Sequence, residues 1–161
     1  MYKKHWQHHH HTGVVHEDPD YHDGQSINFF RWYFHFLFEY VSLKQMTKMF
    51  IYVSVLQHVL CVSLTNILVY LLVAGLLSSL RLFYFGTYIP HRPKVIDGQF
   101  EKAMPWEKSN SSNANRLLSF LCCYHFGYHW EHHRWPFAPW WELWKCKEIR
   151  QQLNQEKNIS T

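Results

Sequence analysis

A long stretch without charge is the feature that most constrains this chain. From Met49 to Leu80 the sequence contains no Asp, Glu, Lys or Arg. As a single helix this stretch would be roughly 48 Å long, which exceeds the hydrocarbon core of a bilayer, about 30 Å thick. Thr65 and Asn66 supply a polar break within it. We therefore predict a transmembrane helical hairpin, with arms at about Thr47 to Leu64 and about Ile67 to Ile89. A buried helical hairpin in a soluble protein is the alternative, and the modest overall hydropathy keeps it open.

A cluster of histidines lies near the C-terminus. The spacing H-x3-H-x2-H-H is formed by His125, His129, His132 and His133. On a helix, at about 100° per residue, the four side chains fall on one stripe about 100° wide. Imidazole is the commonest neutral nitrogen ligand of zinc, iron and copper, so four imidazoles on one face predict a metal site. For any one of them taken alone, a buried structural histidine is the alternative.

A second histidine cluster lies at the N-terminus. His5, His8 and His9 repeat the H-x2-H-H spacing. This repetition is expected of a site built from two similar helices. An expression tag is the alternative interpretation of the uninterrupted run His8 to His11. The run is only four residues long, however, and it continues into the acidic stretch Asp18 to His22, so it does not resemble a tag.

The number of potential ligands indicates two metal ions. A structural zinc site is closed by four ligands, usually with thiolates among them. These clusters offer six or more imidazoles and no nearby C-x2-C motif, and the cysteines of the chain show no disulfide framework. Sites rich in nitrogen suit iron, copper or zinc, so the spacing alone leaves the element open.

If both clusters build one site, the number of membrane crossings is constrained. The chain must cross an even number of times between His9 and His125, which a two-helix hairpin does. The aromatic-rich segment Ser26 to Met46 is then predicted to be an interfacial amphipathic helix, and the rival interpretation is that Ile27 to Tyr40 dips into the protein. Lysines and arginines flank the clusters, so by the positive-inside rule the clusters lie on the cytoplasmic side. The polar segment Pro93 to Asn115 is predicted to be a surface loop.

These observations predict an all-α fold, an integral membrane protein with one transmembrane hairpin and cytosolic metal-binding helices. The lipid bilayer is therefore a predicted partner. The net charge of +4 is small. Because part of this charge is carried by residues that flank the predicted membrane segment, it is weak evidence for binding to anionic lipid. It indicates no nucleic-acid partner.

Several strings of residues resemble a known family. They are His5-x2-His8-His9, Asp18-Pro19-Asp20-Tyr21-His22, the string from Leu82 to Arg92 (LFYFGTYIPHR), and the string from Cys123 to His133 followed by Pro139-Trp140-Trp141. With them the chain resembles the bacterial beta-carotene ketolases, which belong to the membrane fatty acid desaturase and hydroxylase superfamily. The FGTYIPHR and YHFGYH strings are specific within that superfamily, whereas H-x2-H-H alone identifies only the superfamily.

The resemblance implies a single desaturase-like domain over residues 1–161. Members of the family carry an earlier His-Asp-x2-His box on a preceding pair of transmembrane helices, and the resemblance implies that this chain lacks both. We therefore expect a chain truncated at the N-terminus, or else a degenerate copy. Residues Met1 to Thr161 alone are expected to form no keto-carotenoid.

The resemblance also implies a metal shell. The implied iron ligands are His5, His8, His9, His129, His132 and His133. His91 and His125 are implied either as further ligands or as neighbours of the ligands. Asp18, Asp20 and Glu131 are implied as acceptors of the free N–H of ligating imidazoles. No catalytic residue beyond the metal centre and no organic cofactor site is implied.

The implied function is that of a di-iron oxygenase. Two iron ions and O2, with electrons from an external donor such as ferredoxin, would oxidise the ring C4 methylene of beta-carotene, giving echinenone and canthaxanthin. The carotenoid would enter from the bilayer. The alternatives are a carotenoid hydroxylase or fatty-acyl desaturase on the same scaffold, and a non-catalytic membrane metal-binding protein or fragment.

Overall fold

The computed structural model describes residues 2–92 and 104–159, and these parts of the chain are helical without a β-strand. This confirms the all-α prediction for the described residues. The α-helices are α1 (Tyr2–His11), α2 (Phe29–Tyr40), α3 (Leu43–His58), α4 (Leu64–His91), α5 (Arg116–Cys123), α6 (His129–Arg134) and α7 (Leu143–Ile159). Short 3-10 helices lie at Pro105–Lys108 and Trp140–Glu142.

Within the described residues, α4 is the helix that is long and apolar enough to cross a membrane. It has 28 residues, which at 1.5 Å per residue is about 42 Å. It begins after Ser63, whose side chain accepts a hydrogen bond from the backbone N–H of Asn66. Two segments with wider, π-helical turns, Leu68–Val73 and Tyr84–Tyr88, interrupt its regular winding. The predicted second arm of the hairpin lies within α4.

The predicted first arm differs from the observed helix. Helix α3 has 16 residues, or about 24 Å, which is shorter than the hydrocarbon core of about 30 Å. It starts four residues before the predicted arm, because Ser42 and Gln45 form a capping box at Leu43. The break between the helices lies at residues 59–63, where Cys61 adopts a left-handed backbone with φ of 52°, and not at Thr65 and Asn66. A hairpin with two crossings is therefore not confirmed.

An aromatic cluster packs α2 against α4. The ring of Phe83 on α4 is fully buried, and its centroid lies 5.3 Å from that of Tyr33 and 5.4 Å from that of Phe36. Trp32, also fully buried, donates a hydrogen bond from its indole N–H to the Asp20 backbone oxygen at 2.8 Å. The other face of α2 carries exposed phenylalanines. The helix is thus divided into a buried and an exposed apolar face, and it stops at Tyr40 instead of continuing to Met46.

The C-terminal histidine segment is not one helix. Helix α5 ends at Cys123, and the next two residues, Tyr124 and His125, have left-handed backbones with φ of 49° and 64°. Helix α6 begins only at His129. The prediction that a continuous helix carries His125 to His133 on one stripe is therefore wrong, because a left-handed C-cap ends α5 and turns the chain before the last three histidines.

Candidate metal centre

Helix α1 carries two of the predicted site histidines in buried positions. His8 and His9 lie in the last turn of α1, and His5 lies one turn earlier, so the three imidazoles project from neighbouring positions of one helix. The hydroxyl of Thr12 donates a hydrogen bond to the His8 backbone oxygen at 2.8 Å. The carbonyls of the last helical turn have no partner within the helix, and this bond supplies one. It thereby stabilises the last turn of α1, which carries His8 and His9.

A group of four buried imidazoles draws on three parts of the chain. It contains His8 from α1, His91 from the end of α4, and His129 and His133 from α6. One ring nitrogen from each lies within 4.8 Å of those of the others. The Nε2 atoms are 2.8 Å apart for His91 and His129, 3.0 Å apart for His129 and His133, and 3.2 Å apart for His8 and His133.

A second group of three imidazoles lies beside the first. Its members are His5 and His9 from α1 and His132 from α6. The His9 Nε2 atom is 3.0 Å from that of His132 and 3.2 Å from that of His5. The two groups are neighbours, because the ring centroids of His9 and His133 are 4.4 Å apart.

The donor set fits metal ions in both groups. The Nε2 atoms converge on one another, and a neutral imidazole offers only one N–H, so these nitrogens cannot all be satisfied by mutual hydrogen bonds. With metal–nitrogen bonds of about 2.1 Å, two ligand nitrogens lie about 3.0 Å apart at a right angle and about 3.4 Å apart at the tetrahedral angle. The observed separations of 2.8 to 3.2 Å are close to these values. Each group could hold an ion such as iron, zinc or copper.

The electrostatics of the groups favour neutral imidazoles, the form that binds metal. Burial and the neighbouring imidazoles lower the pKa of His9 to about 2 and that of His132 to about 3. The same two causes hold the pKa of His129 and that of His133 well below the usual range. Burial, together with the nearby His8, also lowers the pKa of His5.

Asp18 orients His8. The Nδ1 atom of His8 donates to the Asp18 carboxylate at 2.8 Å, so the Nε2 lone pair points to the other imidazoles. Burial alone would lower the pKa of His8, but the hydrogen bond to Asp18 and the charges of Asp20 and Asp18 outweigh burial and raise it. The carboxylate of Asp18 also accepts from the backbone N–H of Gly13 at 2.7 Å and from that of Asp20 at 2.9 Å. Of the three acids predicted to accept from ligating imidazoles, Asp18 contacts an imidazole, and whether that imidazole binds metal stays a prediction.

Asp20 and Glu131 contact other partners. The carboxylate of Asp20 accepts a hydrogen bond from the hydroxyl of Tyr40. The carboxylate of Glu131, which is fully buried, is bound by the Ser111 hydroxyl and by the Arg150 guanidinium. Among the described residues neither acid accepts a hydrogen bond from an imidazole, so the expectation that they hold ligating rings differs from the contacts observed.

His125 joins neither imidazole group. Its ring is buried and stacks on Tyr128, with centroids 5.7 Å apart and planes 10° apart. His125 lies in the left-handed turn before α6, outside the helix that carries His129, His132 and His133. Burial, with the charge of Arg116, lowers its pKa.

Some residues that shape the centre were not identified from the sequence as part of it. Arg150 and Ser111 bind Glu131, and Phe126 packs its ring against His129 and His132, with centroids 5.1 and 5.0 Å apart. Phe126 lies within the YHFGYH string that carried the family resemblance, but its role there depends on the turn before α6. Nothing in the sequence indicated that turn.

Seven imidazoles form two adjacent groups, and one of them, His91, lies at the end of the long apolar helix α4. The protein is therefore a helical protein that could hold metal ions. Comparison with known proteins gives its family. The sequence model of the fatty acid desaturase family matches residues 1–160, and the chain belongs to that family. No solved structure matches the chain significantly.

The curated relatives are ketolases of carotenoids. The chain is 47% identical over 149 residues to a zeaxanthin 4-ketolase of Chlamydomonas reinhardtii, covering 92% of this chain and 32% of the relative. It is 46% identical over 154 residues to a beta-carotene 4-ketolase of Protosiphon botryoides, covering 96% and 39%. A beta-carotene ketolase of a Paracoccus species is 35% identical over 145 residues, covering 89% and 55%. The resemblance therefore extends to algal proteins, which are the more similar of these three, and the chain spans about a third to a half of the length of these relatives.

Proposed function

We propose that this chain contributes the histidine-rich centre of an O2-dependent di-iron oxygenase that converts beta-carotene to 4-keto carotenoids. The convergence of seven imidazoles from both ends of the chain into two adjacent groups carries this proposal. The algal and Paracoccus relatives, which are ketolases of zeaxanthin and beta-carotene, support the substrate class.

The residues that would hold the two ions follow from the geometry. One ion would be bound by His8, His91, His129 and His133, and the other by His5, His9 and His132. His125 is left outside the ligand set. When bound, iron would supply the activation of O2 and the redox chemistry needed to oxidise an allylic ring methylene.

The chain's own residues organise this chemistry. Asp18 fixes the tautomer of His8, so that its Nε2 atom is free to bind metal. Burial of the imidazoles keeps water from the centre and favours the neutral form of every member except His8, whose pKa the aspartates raise. The fully buried ring of Phe83 and its aromatic neighbours hold α2 against α4 just before His91, and so support the membrane side of the site.

The membrane arrangement is part of the proposal. Helix α4 exposes apolar side chains along most of its length and ends at His91, a member of the four-imidazole group. Spanning by α4, preceded by a second crossing through the segment that contains α3, would keep both histidine clusters on one side. The metal centre would then lie at one surface of the bilayer, where a carotenoid could reach it from the lipid. We propose that this surface is cytoplasmic, and that a small electron-donor protein such as ferredoxin delivers electrons there.

Cysteine labelling tests this arrangement. In a variant whose native cysteines are replaced by serine, single cysteines are placed at Gly13, Asn66 and Ser111 and treated with an impermeant maleimide in sealed vesicles. We expect Gly13 and Ser111 to label from the cytoplasmic side and Asn66 from the opposite side. If all three sites label from one side, α4 does not span the membrane.

A chimera tests the chemistry independently of the remaining length of the relatives. The aligned segment of the Protosiphon beta-carotene 4-ketolase is replaced by this chain, and the product is expressed in bacteria that accumulate beta-carotene or zeaxanthin. We expect 4-keto products by chromatography of extracted pigments. His132→Ala should abolish them, whereas His10→Ala, an exposed histidine outside both groups, should not.

The result can contradict the proposal in distinct ways. If the chimera is present in the membrane and gives no keto product while the parent is active, these residues do not support ketolase chemistry. Hydroxylated or desaturated products would instead favour the hydroxylase or desaturase alternatives. Bound metal without any product would favour a non-catalytic metal-binding protein.

A further inference from the structure

The segment Ser109 to Ser112, called here the bracket, connects the elements that carry the four-imidazole group. From its sequence it was predicted to be part of a surface loop. The portion of that loop at 93–103 lies outside the described residues. The bracket itself is packed into the protein, and Ser109 is only 2% exposed. Its contacts with distant parts of the chain include the ends of two helices that bear histidines, and α7.

One contact is made at the C-terminus of α4. The backbone N–H and the side-chain amide of Asn110 both donate to the Pro90 backbone oxygen, at 2.9 and 3.2 Å. The carbonyls of the last turn of a helix have no partner within the helix. Asn110 therefore caps the end of α4 immediately before His91.

Another contact is made at the N-terminus of α6. The backbone N–H of Trp130 donates to the Ser111 hydroxyl at 3.1 Å, and that hydroxyl donates to Glu131. Helix α6 has no capping bond from its own N-cap residue, Tyr128, so Ser111 supplies the cap from outside. The Ser112 backbone N–H also donates to the Gly127 oxygen at 2.7 Å.

The two capped helix ends carry the pair of imidazoles whose Nε2 atoms are closest among the described residues. His91 follows Pro90 directly, and His129 is the first residue of α6. Their Nε2 atoms are 2.8 Å apart. Neighbouring residues of the bracket thus fix the two backbones whose side chains meet in the centre.

Helix α7 secures the bracket from the other side. The Arg150 guanidinium is 3.0 Å from the Glu131 carboxylate and lies over the Trp130 ring, 3.8 Å from its centroid. Lys147 donates to the Ser112 backbone oxygen at 2.7 Å. Because Glu131 is fully buried, its charge depends on the Arg150 and Ser111 partners, and losing one of them leaves a buried carboxylate uncompensated.

We propose that the bracket, with Glu131 and Arg150, is a positioning device that sets the distance between His91 and His129. Arg150 acts through Glu131 and α6 and touches no imidazole among the described contacts. The proposal rests on the proposed function only in that the imidazoles are taken as ligands. Its geometric content applies equally to the chain without metal.

The experiment measures the chemical accessibility of individual imidazoles. The purified chain without metal, in detergent, is treated with diethyl pyrocarbonate, and the modification of each histidine is followed by peptide mass spectrometry. Arg150→Met removes the charge while keeping an unbranched side chain. Lys145→Met is the matched control, because Lys145 is an exposed lysine on the same helix whose ion pair is with Glu142 and whose ammonium lies over the Trp144 ring. Arg150→Lys is the conservative variant.

We expect His91 and His129 to react about tenfold faster in Arg150→Met than in the parent chain, and about as slowly as in the parent in Lys145→Met. Tenfold corresponds to about 1.4 kcal/mol of local opening free energy. Arg150→Lys should restore part of the protection. Hydrogen exchange of α2 amides should be unchanged, since α2 packs in the aromatic cluster around Phe83, which includes neither Arg150, Glu131 nor any bracket residue.

Two results would overturn the proposal. One is equal reactivity of His91 and His129 in the Arg150→Met and Lys145→Met variants. The other is loss of α2 protection in Arg150→Met together with the same global loss in Asn110→Ala, which removes only a side-chain amide, because the contacts would then serve general stability. Metal binding is measured in parallel. If the parent chain binds no metal, the metal centre fails as a proposal, while the accessibility result still decides on the bracket.

Discussion

Replacement of Gly86 by alanine should disturb the metal centre from within the apolar helix. Gly86 lies in the second π-helical segment of α4 and is buried. A Cβ at this position would lie 2.8 and 2.9 Å from two carbons of the Phe126 ring, and 3.6 Å from Leu82. Ordinary carbon–carbon contacts are about 3.5–4.0 Å, so the Phe126 ring must move by at least about 0.7 Å.

The displaced ring has little room to move. Phe126 packs against His129 and His132, so its movement presses on members of both imidazole groups. Overpacking of this kind costs about 1–3 kcal/mol, while replacing glycine by alanine in a helix gains about 0.5–1 kcal/mol. We therefore expect Gly86→Ala to lose up to about 2.5 kcal/mol of stability and to bind less metal.

The matched control is Gly75→Ala in the same helix. No atom lies within 4 Å of a Cβ built at Gly75, so this variant has the gain in helix propensity without the clash. Both variants are compared with the parent by thermal unfolding in detergent, followed by circular dichroism, and by the amount of bound iron per chain. If Gly86→Ala matches Gly75→Ala in both measurements, the Phe126 contact does not constrain the centre.

The remaining predictions concern the imidazoles and their partners. His132→Ala should sharply reduce bound iron, whereas His125→Ala should leave it within about twofold of the parent, because only His132 belongs to an imidazole group; equal losses in both would contradict this assignment. Asp18→Asn, which removes the charge that orients His8, should weaken metal affinity about 10–100-fold in a competition titration with a chelator, and an unchanged affinity would show that the Asp18 contact is dispensable. Without metal, the chain should lose stability as pH falls below about 6.5, since His9 and His132 have folded-state pKa values of about 2 and about 3 and the unfolded chain takes up protons first; thermal unfolding between about pH 7.5 and pH 5 that shows no such decline would refute this sign.

The repeated H-x2-H-H spacing predicted much of the centre, because helical periodicity alone places such residues on one face. The placement of His5 and His9 opposite His132 agrees with that pattern. His91 was harder to assign: it has no histidine near it in sequence, and only the end of α4 brings it to His129. Whether these imidazoles bind metal stays a prediction until the iron measurements are made.

Other features could not be predicted from sequence for identifiable physical reasons. The left-handed turn at Tyr124 and His125 involves residues that seldom adopt this conformation, so periodicity favoured a continuous helix. The bracket consists of serine and asparagine, which are typical of loops, and its function as a cap depends on helix ends distant in sequence. The start of α3, by contrast, could have been predicted, because the capping box of Ser42 and Gln45 is visible in the sequence just upstream of the uncharged stretch.

The four-imidazole group also joins the two ends of the chain. His8 and His133 are separated by 125 positions, yet their Nε2 atoms are 3.2 Å apart. An ion bound by both would close a loop of that length, much as a covalent crosslink does, and a crosslink around a loop of about 100 residues removes unfolded-state entropy worth about 5 kcal/mol. The order of assembly follows from the same separation, because after His8 is synthesised 125 further positions must follow before His133 is present and the site can close.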